Sequence, residues 1–214
     1  ERAKGPGYAP PTIEGLCTLA FERALADSGL KREDIDGLAM SFTFGGPPPE
    51  EMAKLLGISP RYCTANGNIM AGPLPVVATA IANGEADTVA MVFAVVSRTL
   101  GRDFGGKDEF TGEGVPPSYY YYHPWGWSSQ AAHWAMIFSH YQAIYGAREE
   151  DLGAVAMQLR RSAMDYPSAV MQKPMTLDDY MNSRYVVRPL HLFDICLVND
   201  GAVCLIVRRS DLAR

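Results

Sequence analysis

Apolar residues recur at a helical interval near the start of the chain. Ile13, Leu16, Cys17, Ala20, Phe21, Ala24 and Leu25 fall at i, i+3, i+4, i+7, i+8, i+11 and i+12, one stripe of a helix that faces a core. Thr12 stands where an N-cap belongs and Gly29 where a left-handed stop belongs. After the charged turn KREDID the period changes, and GLAMSFTF (Gly37 to Phe44) reads as a strand ended by GGPPP. A short helix, EEMAKLLG, follows. The stretch from Gly72 to Asn83 carries Ala, Val and Ile nearly all round, which predicts a helix buried on most sides. ADTVAMVFAVVS is then a continuous β-branched run, as expected of a strand covered on both faces of a parallel sheet.

The segment GRDFGGKDEFTGEGVPP (Gly101 to Pro117) has too many glycines and charges for regular structure, and a loop of that length reads as functional or mobile. Ser128 or Ser129 caps the next predicted helix, on which Trp134, Ile137, Phe138, Tyr141 and Tyr145 form an aromatic face before Gly146 closes it. A further helix from about Glu149 places Leu152, Val155, Ala156, Leu159 and Ala163 inward, with Arg160 and Arg161 near its end. Thr176 and Asp179 spell a capping box with Asp in place of Glu. A turn, Asn199-Asp200-Gly201, opens the closing strand AVCLIVRR. No internal repeat or linker interrupts the order, so the chain 1–214 reads as one α/β layered sandwich.

Composition supports a folded domain: 214 residues, 48% hydrophobic and 20% charged, suffice for a real core. The net charge of −5 is spread along the chain without a basic run, which argues against nucleic acid as a partner. No segment approaches the ~20 apolar residues that cross a bilayer, and the opening ERAKGPGYAPP has no apolar signal core. A cytoplasmic location is the expectation. Cys17, Cys63, Cys196 and Cys204 form no CxxC pair and join no histidine at a zinc spacing. Each is read as a small free core residue, and no metal site is expected. His133 and His140 are seven residues apart on one helix face, a packing pattern rather than a ligand pair. His191 is read as a structural hydrogen-bonding residue.

Several pieces together resemble the thiolase superfamily: AFERALADSGLKREDIDGL, AIANGEADTVAM, and TLDDYMNSRYVVRPLHLFDICLVNDGAV. Their order and spacing are similar to the sterol-carrier and lipid-transfer-type branch, and the Pro-Leu, the Asp and the Asn199-Asp200-Gly201-Ala202 that opens a strand are the most specific part. The resemblance covers nearly all of this chain but only the first half of such a protein. It implies a thiolase-like sandwich with a mixed, mostly parallel sheet covered by helices, a strand before Glu1, and a second pseudo-symmetric half after Arg214.

The resemblance also implies a catalytic Cys at a buried helix N-terminus, where amides and the helix dipole favour the thiolate. Counting back from Gly84 puts that position at about Gly67, and Gly67, Asn68, Ile69 and Met70 offer no nucleophile. Cys63 lies four residues earlier, in the preceding strand. Cysteine-free members of this branch resemble aldolases that cleave steroid side chains as β-hydroxyacyl-CoA thioesters. A retro-aldol needs a base and a stabilised enolate but no acyl-enzyme. Substrate is then a coenzyme A thioester, with no covalently bound cofactor. Expected partners are a second copy paired through this half and a small OB-fold, zinc-ribbon subunit that holds any metal.

Within that frame the backbone at Gly67 and Asn68 is the expected thioester-oxygen pocket. SYYYYHPWGW (Ser118 to Trp127) packs seven rings, His123 included, into ten positions, and Tyr122 and His123 are the candidate catalytic side chains, against the simpler reading of interface packing. Asn199 and Asp200 are expected to support the reaction centre from behind, and Arg98 and Arg102 to meet CoA phosphates. The rivals are an acetyltransferase-like thiolase using Cys63 or a residue elsewhere, and a non-catalytic lipid-transfer or scaffold subunit.

Overall fold

The computed structural model describes residues 11–41, 46–66, 72–99, 121–127 and 129–213. The chain divides into two compact units, Glu1–Gly101 with Asn199–Arg214, and Arg102–Val198. The first of these holds the main sheet. The closing strand returns to it across nearly a hundred intervening residues, a long-range pairing that local periodicity does not announce.

In the first unit, α1 (Ile13–Ser28) starts where the Thr12 hydroxyl accepts the Gly15 amide at 3.0 Å and ends at Gly29, φ 68°. It is followed by β1 (Gly37–Ser41), α2 (Pro49–Leu56), β2 (Tyr62–Asn66), α3 (Pro73–Ala82) and β3 (Thr88–Val96), with β6 (Asp200–Arg208) added last. The sheet runs β2-β1-β3-β6, the first three strands parallel and β6 antiparallel to β3. This is the mixed, mostly parallel sheet expected from the sequence.

Strand alternation divides the core in two. Leu38 and Met40 of β1 and Ala90, Val92 and Ala94 of β3 pack under α1 and α2, whose Phe21, Met52 and Leu56 are essentially inaccessible. On the opposite face Ala39, Val89 and Met91 meet Val77 of α3. That helix buries one face only. Val77 and Ala80 are inward, whereas Leu74 and Val76 remain 42% and 46% exposed, so the all-round burial read from its composition is corrected to a single seam within this unit. β1 approaches β3 so closely that a Cβ on Gly37 would stand 2.7 Å from a Val89 methyl.

One side chain ties the starts of the three parallel strands. The Asp36 carboxylate accepts the amides of Thr88 at 2.7 Å and Asp87 at 2.9 Å, while its carbonyl accepts those of Arg61 at 2.8 Å and Tyr62 at 3.2 Å. The Arg61 guanidinium closes onto Asp36 at 2.9 Å and Asp87 at 3.2 Å, and Arg209, after β6, reaches Asp87 at 2.7 Å.

The second unit contains α4 (Gln130–Tyr145), α5 (Glu149–Met164), α6 (Leu177–Met181) and the small antiparallel pair β4 (Tyr185–Val187) and β5 (Leu190–His191). Ser129, rather than Ser128, caps α4 by accepting the Ala132 amide at 3.2 Å, and Gly146 ends it at φ 67°. Thr176 and Asp179 form the expected capping box on α6. Gly153 of α5 is a close-approach glycine, because a Cβ there would stand 2.8 Å from Leu177 and 2.9 Å from Tyr180. Among the described residues no helix is long and apolar enough to cross a membrane.

Burial pushes the Asp36 carboxyl up, yet the Thr88 and Asp87 amides and the Arg61 guanidinium outweigh it and hold it below the ordinary carboxylate range. A depressed carboxyl contributes stability above its unfolded value and loses it as pH falls through its folded one. Asp36→Ala should therefore cost about 1–3 kcal/mol by stranding two strand-start amides. Urea unfolding at a series of acidic pH values should show the wild type losing stability on acidification with a steeper slope than the variant.

Candidate functional site

β1, β2 and β3 are parallel, so their carboxyl ends share one edge of the sheet, the side on which open α/β sheets take ligands. Ser41 and Asn66 face each other in register there. Gly67 and Asn68, the expected thioester pocket, follow directly but lie outside the described residues. Arg102 lies outside them as well, and the loop read between Gly101 and Pro117 falls wholly in that segment.

What is described of α3 narrows the pocket. The helix begins at Pro73 after Gly72, with no side-chain cap, and the third helical residue is Pro75. Two of its first three positions therefore have no N–H. An oxyanion at this mouth has to draw its donors from Gly72, Leu74 and the backbone before them rather than from a full first turn.

At the exit of β3 the structure brings Arg98, Asn199 and Asp200 together. The Asp200 carboxylate accepts the Thr99 amide at 3.2 Å and the Thr99 hydroxyl at 2.5 Å, and the Asn199 carbonyl accepts the Ser97 amide at 3.4 Å. Burial raises the Asp200 carboxyl, but hydrogen bonds from the Thr99 hydroxyl and from the amides of Thr99, Arg98 and Ser97 bring it below its ordinary range. The expected turn is instead a strand entry, since Asp200 is already the first residue of β6 and pairs with Val96. Its carboxylate is spent on holding the backbone on either side of Arg98, which is exposed. Ser97 is 1% exposed, and its hydroxyl has no hydrogen-bond partner among the described residues.

The cysteines depart from the sequence reading. Cys17 is buried and Cys204 partly so, whereas Cys63 and Cys196 are exposed. Cys63 pairs with Leu38 and shares by alternation the face of Ala65, which packs with the α1–α2 core. α3 lies against the other face with Tyr62. Burial, with the Glu50 charge of α2 beside it, pushes the Cys63 thiol up, and burial pushes Cys17 up to about 11 and Cys204 up to about 12. All three shifts oppose thiolate formation. Cys63 is thus on the sheet face opposite α3, and its surroundings do not favour a thiolate.

In the second unit, Tyr122 is 46% exposed and its ring lies 4.4 Å from that of Trp127, which in turn lies 5.0 Å from His133. His123 begins the short 3-10 turn His123–Trp125. The aromatic face of α4 and the inward face of α5 meet over an open apolar groove of about 410 Å³, walled by Trp134, Ile137, Tyr141, Val155, Leu159 and Phe193. Val155 and Leu159 are 57% and 67% exposed, so the α5 stripe read as inward lines this groove instead of a closed core. Among the described residues no group of three or more His, Cys, Asp and Glu side chains is placed to hold a metal ion.

Sequence reasoning missed the most connected cluster of the unit. The buried His191 ring lies between the Ser183 carbonyl at 3.0 Å and Glu149 at 2.9 Å, with Tyr185 donating to the same Glu149 oxygen at 2.7 Å. Asp194 accepts the Tyr180 hydroxyl at 2.9 Å and the His191 amide at 2.6 Å. Only His191 carried a signal, its place before Asp194. Glu149 is 42 residues away in sequence and looks like an ordinary acidic residue of a helix first turn.

No protein-family profile matches the chain. It is 35% identical over 209 residues to the 17-hydroxy-3-oxo-4-pregnene-20-carboxyl-CoA lyase of Mycobacterium tuberculosis, an alignment covering 93% of this chain and 53% of that protein. Among solved structures, the Ltp2-ChsH2(DUF35) aldolase matches with a TM-score of 0.83 and 30% identity, over 99% of this chain and 53% of that one. A monomeric SCP2-thiolase like protein type 1 from Mycobacterium smegmatis matches with a TM-score of 0.63 and 19% identity, over 95% of this chain and 43% of that one. The fold is therefore thiolase-like, as the sequence resemblance implied, and the chain spans about half the length of the curated relative it matches.

Asp200→Ala should release the Ser97–Thr99 backbone while leaving the Asp36 end of the sheet intact. Hydrogen exchange should show lost protection at Ser97 and Thr99, with the Thr88 amide unchanged.

Proposed function

We propose that this chain is the thioester-binding half of a carbon–carbon lyase that cleaves a β-hydroxyacyl-CoA with a bulky, steroid-type acyl group by retro-aldol chemistry. The observation that carries the reading is the helix mouth without a thiol, with Cys63 on the opposite sheet face, in a chain similar over 93% of its length to a protein named as a steroid-CoA lyase.

The chemistry follows from what such a site has to supply. A base takes the β-hydroxyl proton, the Cα–Cβ bond breaks, a ketone leaves, and the electron pair passes to the thioester carbonyl as an enolate. Protonation at Cα then gives the shortened acyl-CoA. The enolate oxygen needs fixed donors in place before reaction, a role assigned here to the backbone of Gly67 and Asn68, supplemented by Gly72. Tyr122 and His123 are the proposed acid–base pair. Asn199 and Asp200 position the β3 exit, and Arg98 with Arg102 meets the CoA phosphates as charge-assisted donors. Metal and covalent cofactors are not assigned to this chain. The similar aldolase structure bears the names of two components, which supports a partner subunit for this protein also; the OB-fold, zinc-ribbon identity and a homodimer through this half are part of the same proposal.

Alkylation separates this reading from acyl transfer. Treated with iodoacetamide until every accessible thiol is modified, the complete protein should retain most of its cleavage of a β-hydroxyacyl-CoA. Loss of activity in step with alkylation of one cysteine would establish the transferase alternative.

A further inference from the structure

The Glu149–His191 cluster plays no part in the reaction proposed above, and its hydrogen-bond accounting has one solution. Nδ1 of His191 stands 3.0 Å from the Ser183 carbonyl, an oxygen that only accepts, so Nδ1 carries a proton. Nε2 stands 2.9 Å from Glu149 Oε2. That oxygen already accepts the Tyr185 hydroxyl. Burial raises the Glu149 carboxyl, but the Tyr185 hydrogen bond and its other contacts more than offset it and hold it below its ordinary range, which already lies well under neutral pH. An ionised carboxylate has no proton to offer, and Nε2 must donate as well.

We propose that His191 is a buried imidazolium, donating from both ring nitrogens, that latches the first turn of α5 to the β4–β5 pair. The ring is 1% exposed and stacks on Tyr185 at 4.2 Å and Tyr180 at 4.8 Å between centroids. The groups that face it are Glu149 from α5, Tyr185 from β4, Tyr180 from α6 and Asp194 from the turn after β5, with Arg188 lying over the far ring at 4.6 Å. One carboxylate, Glu149, meets the ring directly, and Asp194, which accepts the His191 backbone amide and the Tyr180 hydroxyl, fixes the backbone that carries the ring. Without the second proton, Nε2 turns a lone pair toward an ionised oxygen, and a buried contact becomes repulsive. The elements so joined include Leu190 and Asp194, which line the apolar groove between α4 and α5, so the latch sets one wall of that groove.

The test is nitrogen NMR of the imidazole in the full chain, with Glu149→Gln as the variant that keeps size and shape. At neutral pH both ring nitrogens of the wild type should bear protons, and in Glu149→Gln one should be bare. A neutral His191 tautomer in the wild type at neutral pH, or two protonated nitrogens in the variant, would overturn the proposal.

Discussion

The sheet of the first unit depends on one carboxylate. Asp36 precedes β1, and it binds β2 through its carbonyl and β3 through its side chain. Parallel strands have no tight turn to set their register, so something at their starts has to do it. With Asp36 in place, Gly37 can pass against Val89 at a distance that no side chain would allow. Alternation then sends every later residue to a defined face. The assignment of Cys63 to the α1–α2 side and of α3 to the other follows from that register alone. A one-residue slip would exchange them and return a thiol to the side of the helix mouth.

The opposite, carboxyl edge is where the chain has given up ordinary side-chain chemistry. In the proposed reading, the α3 mouth, which has no cysteine in its sequence, contributes dipoles and amides, and the acid–base work falls to side chains elsewhere. Dipoles and amides suffice for a reaction whose difficulty is the charge on a thioester oxygen. The two prolines in the first turn of α3 make the demand stricter, because they leave Leu74 as the one N–H donor among its first three residues.

Much of the fold was legible in the chain. The Thr12 and Thr176 caps, the Gly29 and Gly146 stops and the buried run of β3 are local signals, and the structure keeps each within a residue or two. What periodicity could not convey was environment. α3 and α5 have apolar stripes that a sequence cannot distinguish from closed-core packing, yet Leu74, Val155 and Leu159 stay open within their own units. The cysteines failed for a related reason, since strand position does not say whether a neighbouring helix covers the side chain. Of the candidate site, the start of the closing strand at Asn199-Asp200-Gly201 was legible in the chain, but its bonds to the β3 exit were not, because Thr99 and Asp200 are 101 residues apart. The Glu149–His191 contact was not, because it joins a helix start to a hairpin across 42 residues.

Retro-aldol cleavage and thiolysis differ in what they consume, and that difference is the most direct test. The complete protein, given a β-hydroxyacyl-CoA in buffer free of coenzyme A, should release one ketone for each shortened acyl-CoA, with product formation indifferent to added coenzyme A. No ketone from the β-hydroxyacyl-CoA, together with cleavage of the matching β-ketoacyl-CoA that consumes added coenzyme A mole for mole, would contradict the account.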